Sequence, residues 1–188
     1  MSTLKVDNLL LQNNNTGTGR ILEMVSGVCD GSSVTTLSGT YTFENVTAQQ
    51  SLSTSYVDQL GSSINYKPPE GTKIVIYESY FHIKSVDAHG ITHHRLYIDS
   101  TEITAARTTM GAEDKQGKYT IKFPITVGAS SDDIANGKLQ SWTTLKELKI
   151  QVRQYNANNE SDLHSTNHWD GDGTDQFAPP QLYITAIG

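Results

Sequence analysis

Cysteine, clustered positive charge and long apolar runs are all scarce in this chain of 188 residues. Its single cysteine, Cys29, rules out an intrachain disulfide, so the fold does not depend on oxidation. A reactive thiol wants a partnering histidine and a positive local field. Cys29 is followed instead by Asp30 and Gly31, and it reads as a small buried or turn residue. Lys and Arg number 14 against 20 Asp and Glu, for a net charge of −6, and no two basic residues are adjacent. A nucleic-acid binder needs a concentrated positive patch to displace counterions from phosphates. Without one, DNA and RNA are excluded as partners, and an anionic membrane surface is disfavoured.

The apolar fraction is 36%, below the roughly 45–50% usual on a count that includes Gly. No apolar run approaches the roughly 20 residues of a membrane-spanning helix. The opening MSTLKVDNLLLQ has one Lys, a short Leu run and no small-residue cleavage site. It does not read as a signal peptide, which predicts a soluble protein made in the cytosol. Motifs that declare a reaction are missing too: there is no HExxH, no GxSxG and no phosphate loop. These observations predict a protein that is not an enzyme and carries no cofactor.

What is abundant is Thr, Ser, Asn and Gly, with nine Tyr leading the aromatics. That profile is β-rich and turn-rich. Residues 73–84 form the clearest strand. Val75, Tyr77, Ser79, Phe81 and Ile83 fall on one face, while Ile74, Ile76, Glu78, Tyr80, His82 and Lys84 fall on the other. Pro68-Pro69-Glu70-Gly71 punctuates it in front and Asp87-Ala88-His89-Gly90 behind. The first face needs a covering layer. Ile74, Ile76 and Tyr80 are poor choices for open solvent, so the second face calls for a neighbour as well.

Further strands follow by alternation at 92–98, 119–127, 148–152 and 182–186, all assigned to the cover of the central strand. Residues 33–43 read as a strand bent at Gly39, 104–117 as a polar stretch with a loop at 111–114, and 128–138 as a loop able to hold one helical turn. Pro124 moves its strand towards an edge or a bulge. Residues 156–175 show no periodicity and read as a long loop, functional or mobile. The sum is an all-β, antiparallel β-sandwich of jelly-roll type. Two segments divide the chain, an N-terminal arm and linker at 1–19 and the sandwich at 20–188. In the arm, Leu4, Val6, Leu9, Leu10 and Leu11 form an apolar tip ahead of the polar tether 12–19. Such a tip either folds back as a first strand or pairs with another subunit, and the tether favours the subunit.

Sites of chemistry are few. His93 and His94 point to opposite faces of one strand, and His82 and His94 become cross-strand neighbours if their strands pair, which would make a weak zinc candidate. Asp170, Asp172 and Asp175 alternate with Gly171 and Gly173 as a weak calcium candidate, short of the later ligands of an EF-hand loop. Ordinary turns use the same residues. Trp169, in the long polar loop, is a candidate surface contact to a sugar or a protein, or else a plug at the end of the sandwich.

Several stretches resemble virion structural proteins of tailed bacteriophages, particularly those of marine bacteria. They are Ser2-Thr3-Leu4-Lys5-Val6-Asp7, GSSINYKPPEGTKIVIYE at 61–78, RLYIDSTEI at 95–103 and PPQLYITAIG at 179–188. Together they cover about a quarter of the chain, and none is a catalytic motif. The resemblance implies a β-sandwich that assembles on the phage surface, often as a homotrimer, after synthesis in the host cytoplasm. It implies a capsid decoration or cement protein whose arm reaches the major capsid protein. The alternative is a tail-fibre or adhesin component that touches a host glycan.

Overall fold

The computed structural model describes residues 19–86, 89–112, 116–167 and 174–188. Among them the regular structure is β, apart from one 3-10 turn at Ile134–Asn136. In chain order the strands are β1 Ile21–Val28, β2 Ser33–Thr35, β3 Thr40–Thr42, β4 Gln50–Ser51, β5 Val57–Asp58, β6 Ile64–Tyr66, β7 Ile74–Ser85 and β8 Gly90–Ile98. They continue with β9 Thr101–Ala112, β10 Gln116–Val127, β11 Lys138–Leu139, β12 Lys146–Gln154, β13 Ser161–Leu163, β14 Ser165–Asn167, β15 Asp175–Phe177 and β16 Gln181–Ile187.

One sheet runs β1-β16-β7-β10 with β11 beyond it, and the other runs from β5 and β6 through β12 and β8 to β9. Count β5 with β6 as one interrupted strand, and take β1, β5/β6, β7, β8, β9, β10, β12 and β16 as first to eighth. One sheet is then first-eighth-third-sixth and the other second-seventh-fourth-fifth. That is the order of a jelly-roll sandwich, as the composition and turn spacing predict.

The core lies between the sheets. Val75, Tyr77, Ser79, Phe81 and Ile83 of β7 are fully buried, as their alternation requires. Leu182, Ile184 and Ala186 of β16 lie beside them, and Leu96, Ile98, Leu148, Ile150 and Val152 face them from the opposite sheet. Each large apolar side chain buried here contributes about 1.5–3 kcal/mol relative to exposure.

The assignment of covering strands needs correction. β10 and β16 hydrogen-bond to the two edges of β7 within its own sheet, so the cover comes from β8 and β12. Residues 33–43 form a hairpin, β2 and β3, reversing at Ser38-Gly39. The polar stretch from Thr104 continues β9 as far as Ala112. Part of the 156–175 region is strand too: β13 extends the first sheet beside Ser85, Lys84 and Ile83, and β14 pairs with β15. Pro124 sits opposite Ile76, on a stretch of β10 whose other side is unpaired because β11 reaches Thr126 and Val127 alone. A residue without an N–H is tolerated at such an edge.

Candidate functional site

The register of the first sheet determines what its outer face presents. Paired residues share a face, so successive rungs can be read across β1, β16, β7 and β10. The first rung is Ile21, Ile187, Ile74 and Thr126, and the second is Met24, Thr185, Ile76 and Pro124. The third is Ser26, Tyr183, Glu78 and Lys122, and the fourth is Val28, Gln181, Tyr80 and Thr120. The first two rungs are apolar apart from their threonines. Ile21 is 60% exposed, Met24 50% and Ile74 36%, and no described strand covers them. The third rung changes character: Lys122 Nζ pairs with Glu78 at 3.1 Å, and Tyr80 Oη donates to Glu78 Oε2 at 2.8 Å. That hydrogen bond to a carboxylate raises the Tyr80 pKa.

The far end of the same face is covered by the β14–β15 hairpin. Gln116 Nε2 donates to the Asn167 carbonyl at 2.9 Å, and Lys84 forms an ion pair with Asp175. The face is therefore polar and partly covered at one end, and apolar and without a covering strand among the described residues at the other. The chain enters at the apolar end, where the Gly19 N–H donates to the Gly188 carbonyl and the Gly188 N–H to the Arg20 carbonyl.

The second sheet presents the opposite kind of surface. Lys149 Nζ pairs with Asp58 at 3.1 Å and with Glu147 at 3.3 Å. The Arg107 guanidinium makes two bonds to Glu102, at 2.6 and 3.0 Å. Tyr56 has the Arg95 guanidinium 3.9 Å from its ring centre and that of Arg153 at 5.3 Å.

The histidines do not form the proposed pair. β7 and β8 lie in different sheets, so His82 and His94 are not cross-strand neighbours. His82 points to the outer face, while His94 is buried in the core against the Phe81 ring, 5.3 Å centre to centre. Its Nε2 bonds Thr92 Oγ1 at 2.8 Å and its Nδ1 bonds Gln59 Oε1 at 3.1 Å, and Gln59 Nε2 donates in turn to Ser79 Oγ at 3.4 Å. This network explains why Ser79 is tolerated on the inward face of β7. Burial pushes the His94 pKa down to about 3, with His93 adding a smaller push.

Leu4, Val6, Leu9, Leu10, Leu11, Trp169, Asp170 and Asp172 lie outside the described residues. Asp175 is engaged with Lys84, and among the described residues no three His, Cys, Asp or Glu side chains gather to hold a metal. Trp142, the other tryptophan, plugs the end of the sandwich: it is buried and its Nε1 donates to the Tyr66 carbonyl at 3.1 Å. Reasoning from sequence missed Ile21, Met24 and Pro124 as members of the apolar face. It also missed the grouping of Tyr56 with Arg95, Arg107 and Arg153. The one available signal was the shared outward face of His93, Arg95 and Tyr97 on β8.

Fold and surface thus define a jelly-roll sandwich with one partly apolar outer face. Neither a protein-family model nor a curated protein matches the chain. Among solved structures it is similar to the VP2 subviral particle of infectious bursal disease virus, at 8% identity and a TM-score of 0.37. The alignment covers 90% of this chain and 41% of that one, so this chain spans less than half the length of its neighbour. So distant a likeness carries no functional weight.

Proposed function

We propose that this protein is a structural component of a tailed-phage virion, a capsid decoration or cement protein that works by assembly and not by catalysis. The observation that carries the reading is the inequality of the two sheets. Among the described residues one outer face is apolar and uncovered near Gly19, and the other is laced with charge. A molecule built this way docks by the first face and shows the second to solvent. The phage-like segments 61–78, 95–103 and 179–188 support the same class.

The occupant of the apolar rungs is residues 4–11 of an adjacent copy. That segment holds five apolar residues, and the stretch 12–18 that joins it to Gly19 reaches about 23–25 Å when extended. The rungs span three strand spacings, about 14 Å. The tether is thus longer than the face beside it, which suits passage to a neighbour. Exchange of arms around a symmetry axis gives the homotrimer that the resemblance implies, and the assembled ring lies on the major capsid protein. The tail-fibre alternative draws on a different feature, the arginine-lined surface of the second sheet.

The test compares the full chain with a 13–188 truncation and with Met24→Asp. Sedimentation gives the oligomeric state and a thermal melt gives the fold. The expected result is an oligomer for the full chain and folded monomers for both variants, neither of which joins particles. A folded truncation that stays oligomeric overturns the arm exchange, and an unfolded one shows that the arm is an internal strand. Electron micrographs of intact particles decide between positions, because density on the tail alone overturns the decoration role.

A further inference from the structure

At the end of the sandwich where Gly19 joins the first sheet, a cleft of about 460 Å³ opens just beyond the first apolar rung. The Lys73 N–H donates to the Ile187 carbonyl and the Val127 N–H to the Lys73 carbonyl. Thr72 and Val127 of the cleft wall therefore lie within two residues of Ile74 and Thr126 of that rung. The apolar part of the wall is Pro68, Pro69, Val127 and Trp142. Local bonds hold it in shape. The Thr72 N–H and Oγ1 both donate to the Pro69 carbonyl, at 3.3 and 2.7 Å, which closes the turn that carries the two prolines. The Trp142 indole stands edge-on to the Tyr66 ring, 6.0 Å centre to centre, and its Nε1 is engaged by the Tyr66 carbonyl, so it turns no free donor towards the cleft. Lys67 and Glu70 also line the cleft, and among the described residues neither joins an ion pair.

We propose that this cleft receives Leu9 and Leu11 of the adjacent copy, as a second seat for the arm beside the rungs. The inference rests on the exchange of arms proposed above. Side chains of an extended segment alternate between two faces. In residues 4–11 that puts Leu4, Val6, Asn8 and Leu10 on one face and Lys5, Asp7, Leu9 and Leu11 on the other. The rungs can take only one of these faces. With Leu4, Val6 and Leu10 on them, Leu9 and Leu11 need an apolar receptor of their own. A segment that straddles the corner between the outer face and the sandwich end has the rungs on one side and the cleft on the other. At roughly 30 Å³ each, the share of one water in the liquid, the eight side-chain carbons of two leucines need about 240 Å³. The cleft, at about 460 Å³, admits both. Charge fits the same register, because Lys5 and Asp7 share the face of Leu9 and Leu11, and Glu70 and Lys67 offer each an opposite sign. Exposed pairs of this kind add little energy but favour one direction of the arm.

The experiment uses the full chain with a photoreactive benzoyl-phenylalanine in place of Leu9 or, in a separate protein, of Leu10. Heavy- and light-isotope copies are mixed before irradiation, so that mass spectrometry separates crosslinks between copies from those within one. The probe at position 9 is expected to reach residues 67–72 or 140–143 of another copy, and the probe at position 10 to reach β1, β16 or β7. Ser141→Trp replaces an exposed cleft residue with a ring that fills the space. It should lower the position-9 crosslink at least tenfold and raise the Kd of the oligomer at least tenfold, at an unchanged melting temperature. Crosslinks between copies that land on the rungs from both positions overturn the cleft and leave the exchange of arms standing. A Ser141→Trp oligomer as tight as the unmodified one does the same. Crosslinks to the cleft within one copy overturn the exchange and the occupant with it. A full chain that is monomeric and gives no crosslink between copies overturns both.

Discussion

Acid should weaken this fold through His94 well before its carboxylates titrate. In the folded protein His94 is buried and neutral between Thr92 and Gln59, with its pKa pushed down to about 3, chiefly by burial. In the unfolded chain it titrates near 6.5. Below that value the unfolded state binds the proton and the folded state does not, so stability falls as pH falls. At pH 5 the difference is about 1.5 pH units, or about 2 kcal/mol for His94 alone. His164, also buried, has its pKa pushed down to about 4 by burial and adds a similar loss of about 2 kcal/mol. Burial works to raise the pKa of Glu23, but bonds from Ser38 and Tyr66 outweigh it and hold the carboxyl low. Its contribution is lost only below the ordinary carboxylate range, outside this window. Urea unfolding at pH 7.5 and pH 5.0 should therefore show the unmodified protein losing about 2 kcal/mol more than His94→Gln. Equal losses in the two proteins would refute a titrating His94, whatever the substitution costs at pH 7.5.

Two further outcomes test the core. Cys29 is buried, its Sγ donates to the Gly61 carbonyl at 3.1 Å, and its pKa is pushed up to about 12 by burial and then by Glu44 and Asp30. A thiol reagent at pH 8 should leave the native protein unlabelled and modify it once urea unfolds it; stoichiometric native labelling would contradict that burial. Gly61 has φ of 74°, and a Cβ there would stand 2.4 Å from Pro180 Cγ. Gly61→Ala combines left-handed strain with overpacking and should cost about 2–4 kcal/mol in urea unfolding. A loss under about 0.5 kcal/mol would mean that the turn relaxes freely.

Most long strands were readable because their apolar residues alternate. β7, β8, β12 and β16 each put a clean inward series on one face, and each lies where that series predicts. β9 was not readable past Ile103, for a specific reason. Its next buried residue is Ala106, three positions on, and the β8–β9 register shifts between His94 and Leu96. A bulge breaks the period of two, and threonines do not restore the signal. Neighbour order was hidden as well, since alternation says that β10 and β16 are strands but not that they share a sheet with β7. The apolar face was half visible, because Ile74 and Ile76 were poor solvent residues on their own strand. Ile21, Met24 and Pro124 joined them only through pairings more than forty residues apart in sequence. The arginine cluster spans residues 95–153 and has no local signature at all.

The position of β16 has a consequence for how the protein is made. It lies between β1 and β7, two strands of its sheet that come far earlier in the chain. Until residue 187 has left the ribosome, the facing edges of both strands have no partner, and the inward side chains of β7 lack one flank of their sheet. Non-local pairing of this kind is slow and exposes unpaired edges to other chains. The nascent chain must therefore wait, with its most apolar strand half-dressed, for its final pairing. Crowded synthesis of many copies would make that interval, and not the stability of the finished sandwich, the step at which yield is lost.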